Sequence, residues 1–169
     1  GKSELAPSGE HCAAVASTLA NMHLAARDFA MAQPNLRGLT WWNETVPVVL
    51  PFLEEPQATL LRAELAYQNH IAASSAFAAL PRGPIHADLF RDNVMFETDP
   101  DAPDSQGPPR LTGLFDCYFA GVDTWLFDIA VCLNDWCVDL PTGVADLTRT
   151  SRFLSAYETV RPLAAAERQ

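Results

Sequence analysis

The chain has 169 residues, 49% of them hydrophobic, and a formal net charge of −10, so it has the size of one domain and enough apolar side chains for a core. The acidic balance argues against a general nucleic-acid binder. No apolar run is long enough to cross a membrane, and the start of the chain lacks the pattern of a signal peptide.

Helical spacing of apolar residues predicts a long buried helix from about Ser8 to Phe29, with Ser8 as its N-cap. The segment Glu44–Leu53 contains two prolines, which predict a short or kinked helix. A second long helix is predicted from about Pro56 to Ala79. Two further helical segments follow later in the chain: Trp125–Val138 and Leu147–Val160.

The middle of the chain has the texture of β-structure. A short strand or extended entry is predicted over Pro84–His86. The runs Asn93–Phe96 and Leu111–Asp116 are predicted to pair as a β-hairpin. Between them, Thr98–Pro109 carries four prolines and predicts a long exposed turn that is a site of disorder.

The four cysteines form no C-x-x-C pair, so neither a zinc ribbon nor a disulfide framework is indicated. Cys12, Cys117 and Cys132 have apolar neighbours in the sequence, which predicts reduced thiols packed in the core. Reduced thiols in an acidic chain favour a cytoplasmic protein.

The residues that carry chemistry lie in the stretch 86–93, which reads H-x-D-x-x-x-x-N, and at Asp116, where the second hairpin strand ends. Asp88 is placed to accept a proton from an alcohol. Asn93 offers an amide oxygen and Asp116 a carboxylate, and Mg²⁺ binds such oxygen ligands together with phosphates and waters. A base, an amide oxygen and a metal-binding carboxylate are the parts that phosphoryl transfer from a nucleotide requires.

Any one of these residues alone is a common turn residue, because Asp and Asn side chains bond to nearby backbone. Their combination with flanking strands favours the functional interpretation. A metallohydrolase built on His86, Asp88, Asn93 and Asp116 is a weaker alternative, since the remaining three histidines lack metal-type spacing.

The segments HADLFRDN, NVMF and LTGLFD, followed by DIA, resemble the aminoglycoside-phosphotransferase and choline-kinase group of protein-kinase-like enzymes. NMHLAARDF, NLRGLTWW and FDCYFAGVDTWLFDIAVCLNDWC are more similar still to the homoserine kinases of that superfamily. The resemblance implies an α+β, mainly helical fold. Residues 1–169 would be the C-terminal lobe of a kinase-like fold, with a small β-hairpin carrying the catalytic loop.

The resemblance also implies roles for single residues. Asp88 would be the catalytic base, with His86 supporting its loop. Asn93 and Asp116 would hold the Mg²⁺ that bridges the nucleotide phosphates. Asp128, on an apolar helix, would brace the backbone of the loop, although a plain helix-start carboxylate is the alternative for it.

This sequence departs from the commonest pattern of the wider group in having Ala87 in place of Gly and Phe90 in place of His. Both variants fit the homoserine-kinase pattern, and Phe90 argues weakly against a large polycationic aminoglycoside substrate.

The activity implied is ATP-dependent phosphorylation of the L-homoserine hydroxyl, a step of threonine biosynthesis. The homoserine carboxylate needs a cation, for which Arg91 and Arg37 are the candidates, because the arginine fork binds carboxylates bidentately. Asp28 and Asp123 are candidates for the ammonium group. Another amino-alcohol such as choline or an aminoglycoside, or a non-catalytic kinase-like binding fragment, stays open as an alternative.

The nucleotide-binding half of such kinases has no counterpart in this sequence. No G-x-G-x-x-G is present, and the single lysine, Lys2, is expected to have no strand around it. The N-terminal lobe is therefore expected outside this chain, and the end at 161–169 is expected to continue into further helices. The isolated chain is predicted to have little or no kinase activity.

Overall fold

The computed structural model describes residues 1–30, 33–97 and 108–168. Most of the predicted turn Thr98–Pro109 lies outside these ranges. Six helices lie within them: α1 (Gly9–Ala25), α2 (Leu39–Val49), α3 (Glu55–Ala72), α4 (Ser75–Ala78), α5 (Trp125–Trp136) and α6 (Leu147–Val160).

Short antiparallel strand pairs connect the helices in the described part of the chain. The strands are β1 (Arg82–Ile85), β2 (Val94–Phe96), β3 (Leu111–Leu114), β4 (Gly121–Thr124), β5 (Val138–Asp139) and β6 (Val144–Ala145). The predicted hairpin is present as the pair β2–β3, in which Val94 lies opposite Leu114. The strand β1 pairs with β4, a partner that the sequence did not predict.

The first helix begins where the sequence predicts. Ser8 adopts an extended conformation, and its hydroxyl accepts a hydrogen bond from the backbone N–H of His11. Its own N–H donates to His11 Nδ1 at 3.2 Å, which completes a reciprocal cap. The helix ends at Ala25, four residues before the predicted end at Phe29.

The hydrophobic core lies where α1 packs along α6 and both meet α5 and the strand β2. Its fully or almost fully buried members are Cys12, Val15, Ala16, Leu19, Ala20, Leu89, Val94, Phe96, Ile129, Cys132, Trp136, Cys137, Phe153 and Tyr157. Leu89 belongs to the 86–93 loop, so the loop is anchored in this core by one of its own side chains.

The structure agrees only in part with the predictions for the helices after α1. The helix α2 is short, as its prolines predict, but it begins at Leu39 and continues through Pro47 before passing into a 3₁₀ turn at Leu50. The long helix predicted to reach Ala79 ends at Ala72, because Ser74 begins a new turn by accepting a hydrogen bond from Phe77 N at 3.1 Å.

The structure corrects two smaller expectations as well. Lys2 does have a strand beside it, since its backbone N–H and C=O both bond to Phe96 at 2.9 Å. Cys117 is exposed instead of packed, whereas Cys12, Cys132 and Cys137 are buried, and all four cysteines are free thiols. Among the described residues, no helix combines the length and the apolar character that a membrane span requires.

Candidate active site

The 86–93 loop leaves β1 and returns through a 3₁₀ turn into β2, and its first residues are held by α5. Ala87 has a φ of 65°, in the left-handed region that costs an L-residue about 1–2 kcal/mol. The buried carboxylate of Asp128 accepts hydrogen bonds from the backbone N–H groups of His86 and Ala87, each at 2.7 Å. Asp128 therefore stabilises the strained backbone directly before Asp88.

Asn93 fixes the side chain of Asp88. Its amide nitrogen donates to the backbone oxygen of Asp88 at 2.8 Å and to Asp88 Oδ2 at 3.2 Å. Because the nitrogen is directed at Asp88, the amide oxygen is the atom of Asn93 that remains for a metal ion. Burial raises the pKa of Asp88, although the Asn93 hydrogen bond opposes this shift.

Asp116 is brought to the 86–93 loop by two hydrogen bonds of its neighbour Phe115. The N–H of Phe115 donates to the backbone oxygen of Asn93 at 3.2 Å, and His86 Nε2 donates to the backbone oxygen of Phe115 at 3.1 Å. His86 Nδ1 accepts from the N–H of Asp88, so the ring proton lies on Nε2. Asp116 itself has a φ of 61°, which turns the chain sharply after β3.

These contacts place Asp88, Asn93 and Asp116 in one site. Burial is the main cause of the raised pKa of Asp88, and the negative charge of Asp116 adds to it. Within residues 1–30, 33–97 and 108–168, no three His, Cys, Asp or Glu side chains cluster as metal ligands. One amide oxygen and one carboxylate suit Mg²⁺ that is otherwise bound by phosphates and waters, and they do not suit the metallohydrolase alternative.

Arg91 is the candidate that the structure places least favourably for a substrate. Its guanidinium is buried and donates to the backbone oxygens of Leu5, at 2.9 Å, Val138, at 2.9 Å, and Asp135. Its backbone N–H also donates to Asp135 Oδ2 at 2.8 Å. Arg91 therefore ties the loop to Leu5, to the end of α5 and to Val138, and the structure favours this role over carboxylate binding.

Arg37 is exposed and lies next to the turn that follows Asp116. Its guanidinium carbon is 4.6 Å from the ring centre of Trp41 and 4.4 Å from that of Phe119. The guanidinium is therefore held by cation–π attraction to two aromatic rings.

The two candidates for binding the ammonium group, Asp123 and Asp28, also differ in their surroundings. Asp123 is occupied, because its carboxylate accepts from Arg82 and Asn35, each at 2.9 Å. Asp28 is exposed just beyond the end of α1.

His23, on α1, is a residue that the motif search did not select. Its Nε2 lies 3.0 Å from Asp128 Oδ2, and both side chains are almost fully buried. The available signal was a pair of polar residues, one on the apolar stripe of α1 and one on the apolar helix α5. Buried polar groups need partners, so two such residues on separate helices indicate a contact between them.

The fold and this site together define the C-terminal lobe of a kinase-like phosphotransferase. Residues 1–163 match the sequence profile of the phosphotransferase enzyme family, and the chain belongs to that family. The structure is similar to a crystal structure of an aminoglycoside phosphotransferase from Alicyclobacillus acidocaldarius, with a TM-score of 0.66 and 18% identity. That match covers 98% of this chain and 53% of the other, and it shows the fold.

Curated relatives named homoserine kinase share much more sequence with this chain. One from Polaromonas naphthalenivorans is 62% identical over 168 residues, and one from Paraburkholderia phytofirmans is 59% identical over 167 residues. Each match covers 99% of this chain and 50% of the relative. The chain thus spans about half the length of the curated relatives it matches.

Proposed function

We propose that the complete protein is a homoserine kinase, which transfers the γ-phosphoryl group of ATP to the hydroxyl of L-homoserine and forms O-phospho-L-homoserine. The observation that carries the proposal is the assembly of Asp88, Asn93 and Asp116 on one loop-and-hairpin unit. The identity of 62% to a relative of that name supports the substrate.

In this mechanism Asp88 accepts the proton of the substrate hydroxyl as the oxygen attacks the γ-phosphorus, and ADP leaves with the β–γ bridging oxygen. Its raised pKa makes the ionised carboxylate a stronger base than that of an ordinary aspartate. Asn93 and Asp116 would hold Mg²⁺, which neutralises charge on the transferring phosphoryl group when bound. Asp128 and His86 hold the loop so that Asp88 keeps its position.

Recognition of homoserine requires a cation for its carboxylate, and we assign that role to Arg37. The guanidinium between Trp41 and Phe119 is already oriented, so little side-chain freedom is lost on binding. Asp28 is the remaining candidate for the ammonium group. Arg37→Ala should therefore raise the KM for homoserine by about tenfold or more, while the KM for ATP changes little.

The other half of the complete protein would supply the nucleotide lobe, with a phosphate-covering loop and a lysine on a strand. The relatives are twice as long as this chain, which leaves room for that lobe. We also infer a cytoplasmic location, where ATP is available and where the free thiols stay reduced.

A coupled assay of ADP release by the complete protein tests the function. L-homoserine, choline, an aminoglycoside and L-serine are offered as acceptors, with Mg²⁺ present and with EDTA. We expect Mg²⁺-dependent turnover that is fastest with homoserine and lost in Asp116→Ala. Faster turnover of choline or the aminoglycoside would overturn the substrate. Nucleotide binding without any turnover would favour a kinase-like binding protein.

A further inference from the structure

A buried chain of hydrogen bonds joins the end of the described structure to the 86–93 loop. Its members in order are Glu167, Arg161, Tyr157, His23 and Asp128. Arg161 donates from Nη1 to Glu167 at 3.0 Å and from Nε to the Tyr157 hydroxyl at 2.7 Å. That hydroxyl lies 2.6 Å from His23 Nδ1, and His23 Nε2 lies 3.0 Å from Asp128.

The donors and acceptors of this buried hydrogen-bond chain allow one continuous direction, from Arg161 to Asp128. Arginine can only donate, so the oxygen of Tyr157 accepts from Arg161. The hydroxyl hydrogen of Tyr157 then goes to His23 Nδ1, its other partner among the described residues. In this direction Nδ1 accepts, and His23 carries its ring proton on Nε2 and donates it to Asp128.

The surroundings hold this arrangement in place. The side chains of His23, Tyr157 and Asp128 are at most 1% exposed. The ring of His23 stacks on the ring of Trp125, with 5.6 Å between their centres. The guanidinium carbon of Arg161 lies 4.7 Å from the centre of the Trp125 ring. Burial raises the pKa of Tyr157 to about 12, so its hydroxyl keeps its hydrogen.

We propose that Tyr157 and Arg161 are positioning residues for phosphoryl transfer, which act through the neutral Nε2–H form of His23. That form donates to Asp128, and Asp128 in turn holds the backbone of His86 and Ala87 directly before the base Asp88. The inference rests on the proposed function, because it assigns its role through Asp88. It connects the catalytic loop to residues 161–167, about 75 positions further along the sequence.

The experiment uses Tyr157→Phe in the complete protein, which removes one hydroxyl and keeps the ring. We expect kcat to fall by about tenfold, the factor that one net hydrogen bond carries, with the KM values for homoserine and ATP unchanged within twofold. Tyr67→Phe is the matched control, since Tyr67 is exposed on α3, and it should leave kcat unchanged.

A second readout follows the His23 ring directly. ¹⁵N-histidine NMR of the wild-type protein should show His23 as the Nε2–H form, with its signal assigned by its loss in His23→Asn. In Tyr157→Phe the Nδ1 atom loses its donor while Nε2 keeps its bond to Asp128, so the Nδ1 signal should shift toward that of an imidazole nitrogen without a hydrogen bond. Arg161→Met should lower kcat as Tyr157→Phe does, whereas Arg161→Lys, which retains a donor, should restore most of it.

The proposal is overturned if Tyr157→Phe keeps kcat within twofold of wild type, or if only the KM values change. An unchanged His23 signal in Tyr157→Phe would also overturn it. If the wild-type protein phosphorylates another alcohol instead of homoserine, the substrate assignment fails and the same kcat comparison is made with that alcohol. If it phosphorylates none, the proposed function fails, and the His23 signal alone decides whether Tyr157 donates to Nδ1.

Discussion

Among single residues, Asp88 is the one whose environment matters most for the chemistry of the site. Its carboxylate is partly buried, lies 3.2 Å from the Asn93 amide nitrogen and faces the negative charges of Asp92 and Asp116. The burial and the two like charges disfavour ionisation, whereas the Asn93 hydrogen bond favours it. The net result is a carboxylate that is more basic than usual at the position that we propose for the general base.

Asp88→Asn should lower kcat by about 10²–10⁴-fold, the range that a positioned general base contributes. The KM for homoserine should change little, because the amide keeps the shape of the side chain. Because the folded state raises the pKa of Asp88, its charge opposes folding at neutral pH, so the variant should melt no lower than wild type. Steady-state kinetics and thermal unfolding of the complete protein measure both effects.

Asp92→Asn gives the matched control in the same loop, since Asp92 is exposed. Its kcat at neutral pH should equal that of wild type. A comparable loss of activity in both variants would show that charge in the loop, and not proton transfer by Asp88, limits the reaction.

The pH profile of kcat/KM provides a separate prediction. Asp88 must be ionised to accept a proton, so activity falls as the pH falls through its pKa. Because that pKa is raised, the fall should begin at a higher pH than for an ordinary aspartate. The charge of Asp92 contributes to the raised value, so Asp92→Asn should move the acid limb to lower pH. A limb that stays in place would contradict the assignment of this limb to Asp88.

At the scale of helices and loops, the 86–93 loop has a strained backbone at Ala87, and the helix α5 stabilises it. Ala87 at φ 65° is stabilised by the bond from its N–H to Asp128, and its side chain is buried. Glycine adopts this conformation without the Cβ clash, which explains why the wider group commonly has it at this position. The alanine is tolerated because the surrounding contacts determine the backbone there.

Ala87→Gly should therefore change the free energy of unfolding by no more than about 1 kcal/mol, since relief of strain offsets the added flexibility of the unfolded chain. Ala87→Val should lower it by about 2 kcal/mol or more, because β-branched residues are outliers at positive φ. Urea unfolding checks both variants. Ala120→Val, at an ordinary φ of −55°, is the control and should have a small effect. Equal effects at the two positions would contradict the strain argument.

The helices and strand pairs differ in how far the sequence predicts them. The helix α6 has its predicted bounds, Leu147–Val160, because Asp146 caps it and its apolar residues recur at helical spacing. The break after Ala72 was missed because a single hydroxyl, that of Ser74, decides it. The pairing of β1 with β4 was missed because it joins residues 36 or more positions apart with no alternating pattern to indicate it.

The residues of the candidate site likewise include some that local spacing predicts and others that it does not. Asp88, Asn93 and Asp116 could be proposed from spacing, because one loop and one hairpin bring them together. The buried hydrogen-bond chain through His23 and Tyr157 joins residues 134 positions apart, and no local pattern predicts that contact. Arg91 looked available in the sequence, but the segments that occupy its guanidinium lie at Leu5 and Val138.

At the scale of the whole molecule, the described residues include the proposed base and the two proposed oxygen ligands, and the single lysine of the sequence is Lys2. Lys2 pairs with Phe96 through backbone groups, at the edge of the β2–β3 hairpin. Phosphoryl transfer needs the nucleotide positioned as well as the acceptor activated, and positioning accounts for most of the catalysis.

Residues 1–169 alone should therefore release ADP in a homoserine-dependent manner at less than about 1% of the rate of the complete protein, because the loss of phosphate positioning costs at least about 10²-fold. The folded state of the isolated chain is checked by titration with a thiol reagent. Cys117 should react at once, and the three buried cysteines should react only in denaturant. A chain that shows this thiol pattern and still turns over homoserine at a rate near that of the complete protein would contradict the requirement for a second lobe. A chain that shows the pattern and no turnover would place the missing phosphate contacts in the other half of the protein.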